Sequence, residues 1–377
     1  PTVLFYGHYD VMPVDPIDEW KTKPFEPTIK DGKIWGRGTT DDKGQLYMHV
    51  AAVDALMKTR KTLPVNVKFV LEGEEEIGSE ALDGFLKKQK KLLKCDAVVV
   101  SDTSLYADNT PTVTYGLRGL AALEGEVQGP KGDLHSGSFG GAVANPANTL
   151  AQMIAKLHDK DGKVAIPGFY KKVKPLTKSE RENIKKLRHS ETKLARELGV
   201  RELHGENKFA ALERIWARPT LDVNGIKGGF IEEGFKTIIP AKASAKISMR
   251  LVPDQDPIEI GKLAKKHIES IAPRSVRVNV EIGHSGPPAL APLDSKPMKA
   301  ASKAIAEAFG KKKTVFNREG GSIPIIAAFA DQLKAPVVMM GLGLNSENLH
   351  APNEHFSLKN FERGIVSSIL FMDEMAK

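Results

Sequence analysis

The most informative stretch of this chain is Leu71-Glu72-Gly73-Glu74-Glu75-Glu76-Ile77-Gly78-Ser79. It continues the apolar run at residues 65–71, which is typical of a strand. A glutamate-rich run is usually a solvated charged face or loop. Three adjacent carboxylates directly after a strand are different, because their mutual repulsion is not compensated without a cation. Glu75 and Glu76 therefore indicate a metal site at a strand end, where open α/β sheets bind their ligands.

Further segments place imidazoles or carboxylates at the ends of apolar runs. They are Gly7-His8-Tyr9-Asp10, residues 36–44 (GRGTTDDKG), Ser101-Asp102 and Leu349-His350-Ala351-Pro352-Asn353-Glu354. A pair of divalent ions needs one bridging carboxylate, two or three further ligands on each ion, and a base for the shared water. These segments supply that inventory, which is the ligand chemistry of a two-zinc hydrolase.

Local patterns place several of these side chains. Residues 3–6 are apolar and predict a buried strand, so His8 and Asp10 emerge on the same side of it. Asp10 can then accept the second imidazole N–H and select the tautomer of a metal-bound His8. Asp41 lies between a glycine-rich turn and the periodic apolar stretch 46–57, which predicts a helix. Asp41 is therefore expected at a strand-to-helix corner.

The chain resembles the M20 family of metallopeptidases, and within it the carnosinase-like dipeptidases. The matching motifs are Gly7-His8-Tyr9-Asp10-Val11, Tyr115-Gly116-Leu117-Arg118-Gly119, Asp133-Leu134-His135-Ser136-Gly137, Arg250-Leu251-Val252-Pro253, Glu319-Gly320-Gly321-Ser322-Ile323-Pro324 and the segment around His350. Each motif is weak evidence alone. Together, in this order and nearly from end to end, they make the resemblance specific.

Carried over position by position, the resemblance implies ligands for two metal ions and a general base. The ligands would be His8 and Asp102 for one ion, Glu76 and His350 for the other, and Asp41 as the bridge between them. Glu75 would be the general base. Zinc is the first expectation for mixed histidine and carboxylate ligands, although manganese or cobalt would be accepted by the same oxygen-rich site.

Two of these assignments have alternatives. Asp42 could compete with Asp41 for the metal, but the family's spacing from the first histidine favours Asp41. The family also often has a cis peptide bond after this residue. Asp102 follows a predicted strand, where an aspartate is also a common helix cap.

The resemblance further implies residues that grip a dipeptide. Arg250 and the Gly321-Ser322 loop would bind the substrate's free carboxylate, with His284 nearby, because arginine pairs well with a carboxylate. His135 and Thr237 would reach into the site of a partner subunit, where His135 could donate to the oxyanion of a tetrahedral intermediate. From the residues alone, Arg250 also fits an exposed strand arginine, and His135 also fits a flexible loop.

The order of predicted elements indicates an α/β fold with two domains. Residues 1–117 alternate strands and helices, with helices at 45–59 and 81–93 and strands at 65–71 and 97–101, which predicts a mostly parallel sheet. The alternating runs 122–127, 242–251 and 276–282, a helix at 148–157 and a charged helical stretch at 171–214 predict an inserted α+β domain at 118–287. The resemblance implies that this domain acts as a lid and as a dimerisation domain. The parallel sheet resumes in residues 288–377 with helices at 295–309 and from 358, and a strand at 336–340.

Composition limits the remaining possibilities. A chain of 377 residues is too long for one ordinary core. Its single cysteine, Cys95, precludes an intramolecular disulfide and fits a reducing cytoplasm. Apolar runs stay well short of the ~18 residues of a membrane span. The resemblance also implies an additional segment before Pro1, which could carry a targeting signal.

The net charge of +8 comes largely from predicted helices that also contain acidic residues. Without interleaved aromatic side chains or a recognised binding module, this charge indicates solvated helix faces rather than a nucleic-acid surface. Together with the predicted ligand set, the resemblance implies hydrolysis of dipeptides by a homodimeric metal enzyme. The alternatives are a deacylase of N-acyl amino acids and a non-catalytic binding protein on the same fold. The complete set of ligands argues against the non-catalytic protein.

Overall fold

The structure is a computed structural model that describes residues 1–187 and 189–377. These residues divide into two units. The first comprises Pro1–Leu117, Ala289–Glu319 and Ile323–Lys377, and the second comprises Arg118–Pro288 and Gly320–Ser322. Gly320–Ser322 thus belongs to the second unit, although its neighbours in sequence on both sides belong to the first.

The first unit begins with alternating strands and helices. The strands are β1 (Thr2–His8), β2 (Thr28–Lys30), β3 (Lys33–Trp35), β4 (Asn66–Glu72), β5 (Ala97–Val100) and β6 (Thr112–Leu117). The helices are α1 (Lys43–Arg60), α2 (Glu80–Lys88) and α3 (Lys90–Leu93), with 3-10 turns at Ile17–Glu19 and Glu75–Ile77.

The second unit follows, and the chain then returns to the first. The strands of the second unit are β7 (Gly119–Gln128), β8 (Leu134–His135), β9 (Thr220–Gly228), β10 (Ile238–Ile239), β11 (Lys242–Leu251) and β12 (Arg277–Gly286). Its helices are α4 (Ser136–Phe139), α5 (Pro146–Ala155), α6 (Lys178–Lys186), α7 (Glu191–Glu197), α8 (Ala211–Ala217) and α9 (Pro257–Ser270). The returning elements are β13 (Ala289–Leu290), α10 (Lys296–Ala308), β14 (Val315–Glu319), α11 (Pro324–Leu333), β15 (Val337–Met339), a 3-10 turn at Asn345–Glu347, β16 (His355–Ser357) and α12 (Leu358–Ala376).

A seven-stranded sheet is the centre of the first unit. Its order is β13-β6-β15-β5-β1-β4, with β14 paired to β6 off this path. The pairs β1–β4, β1–β5, β15–β5 and β14–β6 are parallel, and β15–β6 and β13–β6 are antiparallel. The predicted α/β class with a mostly parallel sheet is confirmed.

Strand β1 shows why this sheet is covered on both faces. Val3 and Phe5 pack into a core with α1, α10 and α12, whereas Leu4 and Tyr6 pack into another with α2 and α11. All four side chains are 0% exposed. Successive side chains of a strand point to opposite faces, so a wholly apolar strand needs helices on both sides.

The parallel register brings several strand ends to one edge of the sheet. His8, the last residue of β1, is opposite Glu72, the last residue of β4. Tyr6 is opposite Val100, the last residue of β5. The segments that follow these strands therefore begin side by side, and they carry the predicted ligands.

The second unit is a four-stranded antiparallel sheet with helices on one face. Its order is β12-β7-β11-β9, so β9 and β12 are the edge strands. Buried side chains alternate along β7 and β11 and pack with α5 and α9 into one core. Such alternation is expected for a sheet with one buried face. Helices α6, α7 and the start of α8 lie in the charged stretch 171–214 that was predicted to be helical, but residues 171–177 and 198–210 are not helical.

The structure departs from the sequence prediction in a few elements. The helix predicted at 81–93 is broken at Gln89 into α2 and α3. Strand β9 was not predicted because Gly225 and Gly228 interrupt its apolar pattern, and pairing with β11 supplies its stability instead. Strand β14 and helix α11 were also missed. Among the described residues, none of the helices combines the length and apolar character needed to cross a membrane.

Close packing between α1 and α12 can be tested with matched glycine substitutions. A Cβ on Gly364 of α12 would lie 2.1 Å from Sδ of Met48, a side chain that is 0% exposed. We expect Gly364→Ala to lower the free energy of unfolding by about 1–3 kcal/mol through overpacking. Gly84→Ala in α2 has open space around the added Cβ, so it should leave stability unchanged or raise it by up to ~1 kcal/mol. Urea unfolding measures both, and a Gly364→Ala protein as stable as the wild type would contradict the packing.

Candidate active site

The first cluster of possible ligands forms where β1 and β5 end. His8 is 0% exposed, and its Nε2 lies 3.0 Å from Oδ1 of Asp41 and 3.9 Å from Oδ2 of Asp102. Asp41 comes from the loop between β3 and α1, and Asp102 follows β5 by two residues. One imidazole nitrogen and two carboxylates thus converge on a point at the sheet edge.

The second cluster shares Asp41 with the first. Nε2 of His350 lies 2.8 Å from Oδ2 of Asp41 and 3.3 Å from Oε2 of Glu76. The two carboxylate oxygens of Asp41 therefore face two different histidines. In each cluster, the possible ligand atoms lie within 4.8 Å of one another. This donor set fits two divalent cations with Asp41 between them.

Asp10 holds parts of both clusters in place. Its Oδ1 lies 3.2 Å and its backbone oxygen 3.1 Å from Nδ1 of His8. Because Nδ1 has these acceptors, the proton of a neutral His8 ring belongs on Nδ1, and Nε2 is left with a lone pair for a metal. Oδ2 of Asp10 accepts a 3.0 Å hydrogen bond from the backbone N–H of Glu76.

Asp41 and Asp42 have different surroundings. Asp41 belongs to both clusters, whereas Oδ2 of the buried Asp42 accepts a 3.3 Å hydrogen bond from the backbone N–H of His8. The peptide bond between them is cis, as the resemblance implied. The geometry favours Asp41 as the ligand and gives Asp42 a contact with the strand that carries His8.

The pKa values show how strongly the clusters attract positive charge. Burial opposes the charged form of His8, but the hydrogen bond with Asp41 and the charges of Asp102 and Asp42 outweigh it and raise the pKa of His8 to about 11. Hydrogen bonds with Asp41 and Glu76 raise the pKa of His350 to about 10. A divalent cation would supply the same compensating charge and leave both rings neutral.

The carboxylates respond in opposite directions. Burial would raise the pKa of Asp41, but the hydrogen bonds with His350 and His8 outweigh burial and hold this pKa far below its usual range. Burial, reinforced by the charges of Asp41 and Asp42, raises the pKa of Asp102 well above its usual range. A fully ionised cluster is therefore unfavourable until a cation joins it.

The glutamate run divides into residues with different tasks. Glu72 is buried, and its Oε1 accepts hydrogen bonds from Tyr6 Oη at 2.6 Å and from Ser79 Oγ at 2.8 Å, which fastens the turn to β1. Glu74 accepts a hydrogen bond from the N–H of Ala81 at 3.3 Å. Glu75 and Glu76 lie in the 3-10 turn that follows Glu74 and precedes α2.

Glu75 has the electrostatic character of a proton carrier. Burial raises the pKa of its carboxyl to about 7; the positive charge of His8 opposes this shift, and the charges of Glu76 and Asp41 add to it. A base that titrates near neutral pH can both accept and return a proton. The chemistry of this side chain therefore matches the role that the resemblance implied.

A second group of predicted residues lies within the second unit. Nη1 of Arg250 donates a 2.8 Å hydrogen bond to Oγ of Ser322. Arg118, to which no role was assigned from sequence, donates from its backbone N–H to the oxygen of Gly321 at 3.1 Å and from Nε to the oxygen of Gly320 at 3.0 Å. Burial and the neighbouring charge of Arg250 lower the pKa of Arg118 to about 10, which marks an electropositive site.

His135 and Thr237 form a third group. Strand β8 pairs with β10 so that His135 is opposite Ile238, and Ser136 donates to the oxygen of Thr237 at 3.0 Å. Nδ1 of His135 accepts from the N–H of Gly137 at 3.0 Å, so the proton of the neutral ring is on Nε2, where it can be donated. His284 belongs to neither group: it is exposed on the edge strand β12, and β7 lies between it and Arg250 on β11.

Two buried side chains support the ligand loops and were not predicted from the sequence. Gln45 donates to the oxygen of Thr40 at 3.1 Å and accepts from the N–H groups of Leu342 and Gly343 at 2.7 and 3.1 Å. Glu354 binds the loop that carries Asp41 through several hydrogen bonds. Glu354 was within a quoted motif, but its role depends on a contact with residues more than 300 positions away, which local pattern does not reveal.

Comparison with known proteins identifies the family of this chain. The sequence model for peptidase family M20/M25/M40 matches residues 4–373. The Cys-Gly metallodipeptidase DUG1 of Saccharomyces cerevisiae is 36% identical over 380 residues, which cover 98% of this chain and 78% of that protein. The Beta-Ala-His dipeptidase of Homo sapiens is 35% identical over 381 residues, which cover 100% of this chain and 75% of that protein.

A solved structure extends the similarity to the fold. The metallo-carboxypeptidase Sso-CP2 of Sulfolobus solfataricus, described as an M20 family member, has a TM-score of 0.90 and 35% identity, covering 100% of this chain and 85% of that chain. The match thus includes both sequence and structure over almost the full length. The chain belongs to the M20/M25/M40 family of peptidases.

Proposed function

We propose that this chain is a metal-dependent dipeptidase with two divalent ions and Glu75 as its general base. The observation that carries the proposal is the position of Asp41, whose two oxygens face His8 and His350 in two clusters of potential ligands. Relatives at 35–36% identity are named as dipeptidases. His8 and Asp102 would hold one ion, Glu76 and His350 the other, and Asp41 both.

The protein's own groups move the proton and position the substrate. Bound metal ions supply a water of lowered pKa and polarise the carbonyl of the scissile amide. Glu75 takes the proton of the attacking water and later returns it to the leaving amine, which needs a base that titrates near neutrality. Nε2–H of His135 donates to the oxygen that becomes negative in the tetrahedral intermediate. Zinc is the first candidate metal, with manganese and cobalt as alternatives.

The carboxylate end of the substrate is assigned to Arg250 and Ser322. Arg250 and Arg118 are neighbouring cations, and the charge of Asp222 acts on both. These three groups together carry one net positive charge, which a single terminal carboxylate would balance. The hydrogen bond from Arg250 to Ser322 already orients the guanidinium. Arginine and carboxylate then make charge-assisted hydrogen bonds.

A homodimer with shared sites is part of the proposal. In the second unit, Ile226, Ile231 and Phe235 expose 66%, 75% and 102% of the reference area of the whole residue. Ile226 belongs to the edge strand β9, and Phe235 precedes Thr237 by two residues. Exposed apolar side chains near an unpaired strand edge are suited to contact with a second copy. A cytoplasmic location is proposed because the single Cys95 precludes an intramolecular disulfide.

Two related activities are to be distinguished from dipeptide hydrolysis. The similarity to a metallo-carboxypeptidase favours longer peptides with a free carboxyl terminus, and the same cationic site would bind that terminus. A deacylase would instead take N-acyl amino acids. Metal analysis of the purified protein, followed by a comparison of dipeptides, tripeptides and N-acyl amino acids as substrates, tests the proposal. Preference for tripeptides or N-acyl amino acids over every dipeptide would contradict it.

The first functional prediction uses three adjacent glutamates as a matched series. We expect Glu75→Gln to lose at least ~10²–10⁴-fold in kcat, as is typical when a general acid–base is removed, while it still binds two metal ions. Glu76→Gln should lose metal as well as activity, because it removes a proposed ligand. Glu74→Gln serves as the control and should retain both. Steady-state kinetics and metal content measure these effects, and near-normal turnover of Glu75→Gln would refute its role.

The second functional prediction concerns the free carboxylate. Amidation of a good dipeptide should remove most activity. Arg250→Ala should lower kcat/KM for the free acid by roughly 10- to 100-fold, since hydrogen bonds to charged groups are worth about 1.5–3 kcal/mol. The amide should be affected much less. Lys246→Ala, an exposed position on the same strand β11, is the control and should act like the wild type. Equal losses on the acid and the amide would argue against the carboxylate site.

The third functional prediction tests shared active sites. His135→Ala and Glu75→Ala should each be nearly inactive, but a mixed dimer would contain one site with both groups intact. Random exchange makes half of the dimers mixed, so up to about a quarter of wild-type activity should return. The control replaces the Glu75→Ala protein by the double variant Glu75→Ala/His135→Ala, which should restore nothing. No recovery despite demonstrated subunit exchange, or a fully active monomer, would refute the shared site.

A further inference from the structure

Glu354 is a buried carboxylate whose hydrogen-bonding capacity is fully used. It is 1% exposed. Oε1 accepts from the backbone N–H groups of Thr40 at 2.9 Å and Asp41 at 3.1 Å. Oε2 accepts from the N–H of Gly38 at 2.9 Å and from Nη1 of Arg37 at 2.8 Å. Each oxygen therefore has two donors, so Glu354 does not resemble a free metal ligand.

These contacts join the two loops that carry the shared carboxylate and the second histidine. Residues 36–42 connect β3 to α1 and contain Asp41, and Glu354 ends the loop that contains His350. Next to this junction, β16 pairs with β3, and the N–H of Gly36 donates to the backbone oxygen of Glu354 at 3.0 Å. A shift of Glu354 would therefore move Asp41 relative to His350.

The ion pair with Arg37 stabilises the buried charge of Glu354. The side chain of Arg37 is 1% exposed, and Nη2 donates to the oxygen of Pro13 at 3.0 Å. Its guanidinium also lies 5.2 Å from the centre of the Trp20 ring. A buried carboxylate needs a countercharge and several donors to offset its loss of hydration. Arg37 supplies the charge, and the amides of the Asp41 loop supply the remaining donors.

We propose that Glu354 is a positioning residue of the metal centre. By accepting from the amides of Gly38, Thr40 and Asp41, its carboxylate holds the Asp41 side chain between the ring nitrogens of His8 and His350. This inference rests on the proposed metal-dependent function, because it assigns Asp41 to both metal ions. It predicts that loss of the Glu354 charge weakens metal binding although no ligand is removed.

Glu347 provides a matched control in the same region. It is 2% exposed and accepts from the N–H groups of Leu344 at 2.8 Å and Ser357 at 3.0 Å, and from Oγ1 of Thr40 at 3.4 Å. It is thus an equally buried glutamate beside the same loop, but its backbone donors lie outside residues 36–42. Both Glu347→Gln and Glu354→Gln neutralise a buried glutamate beside this loop, whereas a positioning effect should be specific to Glu354. Glu354→Gln additionally leaves the buried Arg37 unpaired.

The experiment compares metal affinity in the two variants. Metal-free full-length wild type, Glu354→Gln and Glu347→Gln are titrated with Zn²⁺ against a chromophoric chelator, and the unfolding temperature of each metal-free protein is recorded. We expect Glu354→Gln to bind the metal about 10–100-fold more weakly, as is typical when a group that orients a ligand is replaced. Glu347→Gln should bind as the wild type does. Equal affinity of Glu354→Gln and the wild type would overturn the proposal.

A double variant separates positioning from the cost of leaving Arg37 buried and unpaired. Arg37→Met combined with Glu354→Gln removes both charges, so its unfolding temperature should recover relative to Glu354→Gln alone. Metal affinity should remain low. If affinity recovers together with stability, the role of Glu354 is purely structural and the proposal is wrong. The double variant also replaces the single variant in the titration if the latter does not fold.

The wild-type titration distinguishes failure of this inference from failure of the proposed function. Wild-type protein that binds no divalent metal would contradict the metal-dependent function itself. Wild-type protein that binds two ions, with Glu354→Gln indistinguishable from it, would leave that function intact and refute only the role of Glu354.

Discussion

The contact of one carboxylate with two histidines is the interaction on which the candidate active site depends. The oxygens of Asp41 lie 3.0 and 2.8 Å from Nε2 of His8 and His350, which come from opposite ends of the chain. Burial makes an ionised carboxylate costly unless positive charge lies next to it. Two histidines and further carboxylates surround Asp41, and bound cations would balance the negative charge of this cluster.

The mostly parallel sheet explains how these distant residues meet. Strands β1, β4 and β5 run side by side and end at the same edge, so the residues after them begin as neighbours. The apolar side chains of β1 are buried in cores on both faces, which keeps the strand and therefore His8 in position. Loops can carry the chemistry because the scaffold beneath them is rigid. Glu354, Gln45 and Asp10 then restrict the loops themselves.

The second unit contributes a different kind of chemistry. The first unit concentrates negative charge around Asp41, whereas the second places Arg118 and Arg250 close enough that one lowers the pKa of the other. The loop Gly320–Ser322 belongs to this unit although it follows β14 of the first. The cluster in the first unit is thus suited to cations, and the cluster in the second unit is suited to an anion.

Many of the strands, the fold class and the candidate ligands could be predicted from the sequence because they depend on local patterns of residues. Apolar runs that end in histidine or acidic residues predicted the strands and their chemistry, and the order of strands and helices predicted the α/β class. The motifs identified the family, and comparison confirmed it. Where the pattern is weak, as in the glycine-containing strand β9, local reasoning failed because the pairing with β11 stabilises the strand.

The sequence by itself therefore determined the fold class, the family and the residues that are candidates for ligands. The residue types alone did not separate Asp41 from Asp42, which have the same side chain and adjacent positions; the tertiary structure places Asp41 in both clusters, in agreement with the family's spacing. It also showed that strand β7 lies between His284 and Arg250, and that Glu354 accepts a hydrogen bond from the backbone of Asp41. The reason is physical: the direction of a side chain and the partners of a buried carboxylate depend on contacts between segments hundreds of residues apart, which local sequence does not specify.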